Sequence, residues 1–189
     1  ELRDLGLWEE TAIVFWGDHG WKLGEHNSWC KHTNFEVDTR APLLARAPSM
    51  TARGKTTEAL VEFVDMYPTL CELCGLDIPE HCEGASFAPL LDNPGLPWKD
   101  AAFSQYPRGS VMGCAMRTDR YRYIEWRERA SGQIRARELY DHTQDSQENE
   151  NVVERTDPYL LKALSDQLAQ GWTQAMPGSW GPRESHPSM

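Results

Sequence analysis

The sequence has no apolar run approaching the ~18 to 20 residues that cross a bilayer as a helix, and no charged-then-apolar leader opens it. It is also poor in positive charge: 19 Lys plus Arg stand against 29 Asp plus Glu, a formal net charge of −10. General nucleic-acid binders and binders of anionic membranes need a basic excess, so neither class of partner is expected, and a small molecule or a cation is favoured. Cysteine is scarce and odd in number. Cys30, Cys71, Cys74, Cys82 and Cys114 cannot form a disulfide scaffold, so stability must rest on a packed core. A bridge from Cys82 to Cys71 or Cys74 stays open, as does a metal or redox role for Cys71-x-x-Cys74. There is no second cysteine pair at metal-ligand spacing, however, and two thiols three apart on a helix suit one packed face. No Asn-x-Ser/Thr acceptor and no internal repeat is present.

What is present is enough for a globular domain: 189 residues, 40% hydrophobic and 25% charged. The opening Glu1-Leu2-Arg3-Asp4-Leu5-Gly6 reads as the last turns of a helix, which suggests a piece of a longer chain. Thr11 to Trp16 is a continuous apolar run suited to a strand buried on both faces. A polar, Gly-rich loop from Gly17 to His32 follows at its carboxyl end, where open α/β sheets bind ligands. Pro42 to Ala45 is a second candidate strand. Leu60 to Val64 reads as a strand or strand-like entry to a helix over Asp65 to Cys74, with Asp65 as N-cap and Gly75 as the C-terminal stop.

Residues 92 to 99 concentrate turn formers and mark the best boundary between subdomains. Ala101 to Gln105, Met112 to Arg117 and Tyr121 to Trp126 then read as short strands, the last two joined in a hairpin through Thr118-Asp119-Arg120. Glu138 to Asp141 adds an edge strand. Asp157-Pro158 opens a helix whose Leu160, Leu161, Leu164 and Leu168 keep helical spacing, and the tail from Met176 should be extended. The division is therefore 1–95, 100–175 and a tail of 176–189.

Asp18-His19-Gly20, directly after the first strand, carries the most chemistry. Adjacent ligands converge on one ion only if the chain leaves the strand there, and Gly17 and Gly20 permit that departure. A carboxylate with an imidazole suits a divalent cation, although a turn-capping Asp beside a packed His would look the same. The surrounding residues weigh on this choice. Gly20-Trp21-Lys22-Leu23-Gly24-Glu25-His26, Trp29-Cys30-Lys31-His32, Asn34-Phe35-Glu36 and Thr39-Arg40-Ala41-Pro42 make up the pattern DHGWxLGEHxxWxKxxNFE followed by TRxPL. This pattern resembles the sulfatase family of the alkaline phosphatase superfamily, and within it the iduronate-2-sulfatase branch. Phe63 to Leu70, Ser104 to Arg108, Arg117 to Tyr123, and Glu138 to Asp141 with Asn151 resemble later segments, so the likeness runs to about residue 170.

The resemblance implies an α/β fold: the C-terminal part of a mixed sheet flanked by helices, then a small antiparallel sheet packed on a C-terminal helix. It implies that Asp18 and His19 are two of the ligands of a calcium ion and that Lys31 contacts the sulfate. An ammonium point charge suits a tetrahedral oxyanion. Trp21 is either a wall of the substrate pocket or a packing residue. Arg108, read as lying on a Pro-flanked turn, is either a reach toward a substrate carboxylate or sulfate, or a solvated side chain. His26, Glu36 and Arg40 read as braces of the loop, with a weak Glu36–Arg40 pair. Seven arginines (117, 120, 122, 127, 129, 135 and 137) crowd one stretch, either attracting a polyanionic sugar chain or lying on solvated faces.

The family's nucleophile is a formylglycine made from a cysteine or serine in a C/S-x-P/A-x-R motif, and none of the five cysteines here opens that pattern. The family's paired N-terminal aspartates for the metal are missing too. The expectation is the C-terminal portion of a calcium-dependent sulfatase acting on a sulfated sugar, such as a uronic acid in a glycosaminoglycan. Its partner is the N-terminal half of the same protein, the segment alone is inactive, and the resemblance implies an exported, periplasmic or lysosomal-type compartment. The alternatives are a phosphodiesterase or phosphonate hydrolase of the same superfamily, or a non-catalytic module that binds sulfated glycan.

Overall fold

The computed structural model describes residues 1–178; the predicted tail beyond that lies outside the described residues. The fold is mixed α/β, with antiparallel sheets and few helices, and the chain divides into two compact units.

One unit holds Glu1–Phe15 and Leu44–Lys99. Strands β1 (Ile13–Trp16) and β4 (Leu43–Arg46) pair there in a two-stranded sheet. The apolar run predicted a strand buried on both faces. The strand forms, but Phe15 is 64% and Trp16 46% exposed, because a two-stranded ribbon leaves them no second layer. Leu60 to Val64 does not form a strand. Phe63–Asp65 is a 3-10 turn leading into helix α2 (Met66–Leu73). Asp65 does not cap that helix with its side chain; its carboxylate accepts from the backbone N–H of Glu62 and Ala85 and from Lys99 at 2.7 Å. Gly75 does stop the helix: at φ +66 its N–H reaches Glu72 while Leu76 N–H reaches Cys71, closing the end carbonyls. Cys71 is buried, whereas Cys74 is the exposed C-cap, so the two thiols do not share a packed face, and all five cysteines are free.

The other unit holds Trp16–Leu43 and Asp100–Ala175. Its frame is an antiparallel meander of β5 (Ala102–Arg108), β6 (Val111–Arg117), β7 (Tyr121–Glu128) and β8 (Ile134–Asp141), in that order. The predicted hairpin through Thr118 to Arg120 and the edge strand are both present. Period-2 alternation gives the sheet two apolar faces. Met116, Tyr123 and Leu139 pack with Leu164 and, less deeply buried, Leu160, Leu161 and Leu168 of helix α3 (Pro158–Gln170). Asp157 caps that helix by accepting from Tyr159 N–H. Ala115, Ile124, Tyr140 and Trp126 line the opposite face, where Phe35 covers them.

Phe35 belongs to the segment bearing the motif. Between Gly17 and His32 the expected loop contains a hairpin of β2 (Lys22–Leu23) and β3 (Trp29–Cys30), and one helical turn, α1 (Glu36–Thr39), follows. No helix among the described residues is long and apolar enough to cross a membrane.

Candidate functional site

Asp18, His19, Trp21, Lys31 and Arg108 all lie in this second unit. Asp18 and His19 sit on the turn after β1. Asp18 projects its carboxylate into solvent, 82% exposed, with Oδ2 3.3 Å from His19 Nε2. His19 Nδ1 is 2.7 Å from the Gly20 carbonyl. That carbonyl can only accept, so Nδ1 donates to it, and Nε2 is the ring nitrogen turned toward the Asp18 carboxylate. The donor set, one hard oxygen and one imidazole nitrogen, fits a divalent cation as a partial coordination shell.

The β2–β3 hairpin sets Lys31 across from Trp21, two residues after His19. Its register is Lys22 opposite Cys30, so Trp21 and Lys31 are the next residues along the two strands. Lys31 is half-buried, and its neighbours Cys30 (φ 71) and His32 (φ 86) both adopt the left-handed conformation that non-glycine residues avoid. Each such residue costs roughly 1–2 kcal/mol, and such strain persists where the surroundings over-determine the backbone. The surroundings here do so. His32 stacks on Tyr106 at 6.0 Å between centroids, Asn34 Nδ2 donates to Gly113 O at 2.9 Å, and Ser104 Oγ donates to Asn34 Oδ1 at 3.1 Å.

Trp21 is 52% exposed, its ring 6.0 Å from that of His19. Arg108 is exposed at the end of β5, on a strand rather than a turn, its guanidinium 6.0 Å from the Trp126 ring. It shares a strand face with Ser104 and Tyr106, the two residues that meet the segment after Lys31. His26 stacks on Phe35 at 3.7 Å, and Glu36 lies 3.8 Å from Arg40, so both brace the loop as read from sequence.

Sequence reasoning missed the polar groups beneath this surface. Lys22, a variable position of the pattern, is fully buried and paired with Asp38, whose carboxylate also accepts from Thr33. Glu36, Glu148 and His142 form a cluster with metal-ligand spacing, but Arg122 is paired with both carboxylates, which makes it an ion-pair network. Burial pushes Glu148 up, but His142, Arg122 and the Glu36 N–H outweigh it and hold the carboxyl below the usual range. Burial likewise lowers Arg117, against the attraction of Glu36. The only sequence signal for this network was the run of arginines. Six of the seven (117, 120, 122, 127, 135 and 137) stand within 4 Å of a carboxylate of this same unit.

The model of the N-sulphoglucosamine sulphohydrolase C-terminal family matches residues 24–174. Mouse iduronate 2-sulfatase is 34% identical over a match covering 66% of this chain and 34% of that protein. The chain thus spans about a third of the length of that curated relative. Among solved structures, one described in complex with its substrate D-glucosamine-2-N,6-O-disulfate has a TM-score of 0.81 at 28% identity. The match covers 98% of this chain and 38% of that one. A phosphonate monoester hydrolase from Silicibacter pomeroyi gives 0.77 at 27% identity, covering 94% and 38%. With a family model spanning most of its length and a site turn and hairpin built as above, this chain belongs to the sulfatase family, as a C-terminal sulfatase domain.

Proposed function

We propose that this chain is the C-terminal portion of a longer enzyme that hydrolyses sulfate esters of a sulfated sugar, and that it supplies part of the active site. The observation that carries this reading is the hairpin whose register sets Lys31 across from Trp21, two residues after His19, with Lys31 between two left-handed residues. Asp18 and His19 would hold a calcium ion, which when bound supplies Lewis-acid stabilisation of sulfate oxygens. Lys31 places a cation against the sulfate, where charge redistributes as the ester bond breaks. Trp21 offers an exposed aromatic face to a sugar ring, and Arg108 a guanidinium to a carboxylate or second sulfate. The formylglycine nucleophile belongs to the N-terminal portion, so the chain alone releases no sulfate.

In the longer protein, Asp18→Ala and Lys31→Ala should each lower kcat/KM for a sulfate ester at least about a hundredfold. Normal activity of either variant overturns the assignment, and sulfate release by the isolated chain overturns the missing nucleophile. A second reading, hydrolysis of a phosphonate or phosphate ester, draws on the likeness to the phosphonate monoester hydrolase, since the same charges suit both tetrahedral groups. Parallel assays on matched sulfate and phosphonate esters decide between the two. The glycan-binding module is disfavoured by the internal pairing of the arginines.

A further inference from the structure

We propose that Arg122 is a positioning residue for this site. By fixing Glu36 of α1 it sets where the Asp18–His19 turn and Lys31 stand, without touching substrate. The inference rests on the reading of Asp18, His19 and Lys31 given above.

Helix α1 is one turn long and cannot hold itself, because a single turn forms too few hydrogen bonds to offset its ordering. Its position is imposed from both sides. On the sheet side, Arg122 is 3% exposed and bridges two carboxylates: Nε donates to Glu148 Oε1 at 2.5 Å and Nη2 to Glu36. Glu148 in turn accepts from the Glu36 backbone N–H at 2.7 Å and meets His142 Nε2 at 2.7 Å, while Arg117 Nε stands 3.4 Å from Glu36. On the other side α1 touches both halves of the site. Asp38 O accepts from Gly20 N–H at 2.8 Å, and its carboxylate takes Lys22 and Thr33. The approach to Gly20 is so close that a Cβ there would lie 1.8 Å from Val37 O. A displacement of Glu36 is therefore passed to the residue after His19 and to the segment after Lys31. The bridge needs a planar fork with donors on two edges, which an ammonium cannot reproduce.

The test uses the full-length protein with Arg122→Lys, Arg122→Gln and Glu36→Gln. It reads melting temperature, kcat, KM and inhibition by inorganic sulfate. Leu160→Ala, which loosens α3 on the other face of the sheet, serves as a stability control. The expected result is a fall in kcat of about tenfold or more and weaker inhibition by sulfate, both beyond anything in the control at a similar melting temperature. Arg122→Lys should recover the melting temperature more fully than kcat. If Arg122→Gln does not fold, Glu36→Gln, which keeps size and an acceptor, carries the same readout. Variants that lose stability but keep kcat and sulfate inhibition within twofold, while Lys31→Ala is inactive, overturn this inference alone. An active Lys31→Ala overturns the site reading and this inference with it.

Discussion

Gly20 has the least room for a side chain of the described glycines, since the backbone of α1 occupies its place. Gly20→Ala should destabilise the protein by about 1–3 kcal/mol, because backbone rather than a flexible side chain must move. Activity should fall further than stability, since the displaced turn carries His19; a melting curve and a kinetic assay on one preparation check both. Gly84→Ala meets Val64 O at 2.1 Å and should cost similar stability. At this scale the sequence offered candidates by residue type and motif. Asp18 and His19 stand out by residue type and by their place after the first strand, and Lys31 only through the resemblance to the sulfatase pattern. Lys22 does not stand out, because a lysine in a polar loop reads as solvated, and its partner Asp38 lies sixteen positions away in a turn whose packing the sequence does not display.

Among the elements, α3 was the most legible, with a cap, a first-turn proline and four leucines at helical spacing, all found in place. Asp157→Ala should cost about 1 kcal/mol through loss of the cap, and Leu164→Ala about 2–5 kcal/mol through the cavity it leaves. Chemical denaturation with unchanged slope checks each. The meander was legible from turn residues and alternation. Of the two readings of Leu60 to Val64, the strand fails and the entry to a helix holds, because a short apolar run does not by itself distinguish a strand from the approach to a helix. The β2–β3 hairpin escaped notice because two-residue strands carry no periodicity, and α1 because one turn carries none either.

For the molecule as a whole, stability should depend on pH through buried carboxylates. Burial raises Glu125 and Glu148, but hydrogen bonds from Ser165 and Tyr123 to the first, and from His142 with the Arg122 charge to the second, hold both below the ordinary range. The Arg120 hydrogen bond holds Asp141 lower still. Groups lowered in the folded state stabilise it fully above their unfolded values, about 4 for these carboxyls, and lose that contribution as pH falls through the folded values. The melting temperature should thus hold from pH 7 to about 5 and decline below. Asp65, raised by burial against Lys99, acts in the opposite sense and offsets part of the decline. Circular dichroism melts across this range test the prediction. The arginine stretch looked basic in sequence, yet six of its seven charges stand beside a carboxylate. Such a surface carries few condensed anions of its own and displaces few cations from a sulfated polymer. Retention on heparin should be weak and should fall only slightly as salt rises, leaving recognition of a substrate to those cations, Lys31 and Arg108 among them, that pair with no carboxylate among the described residues.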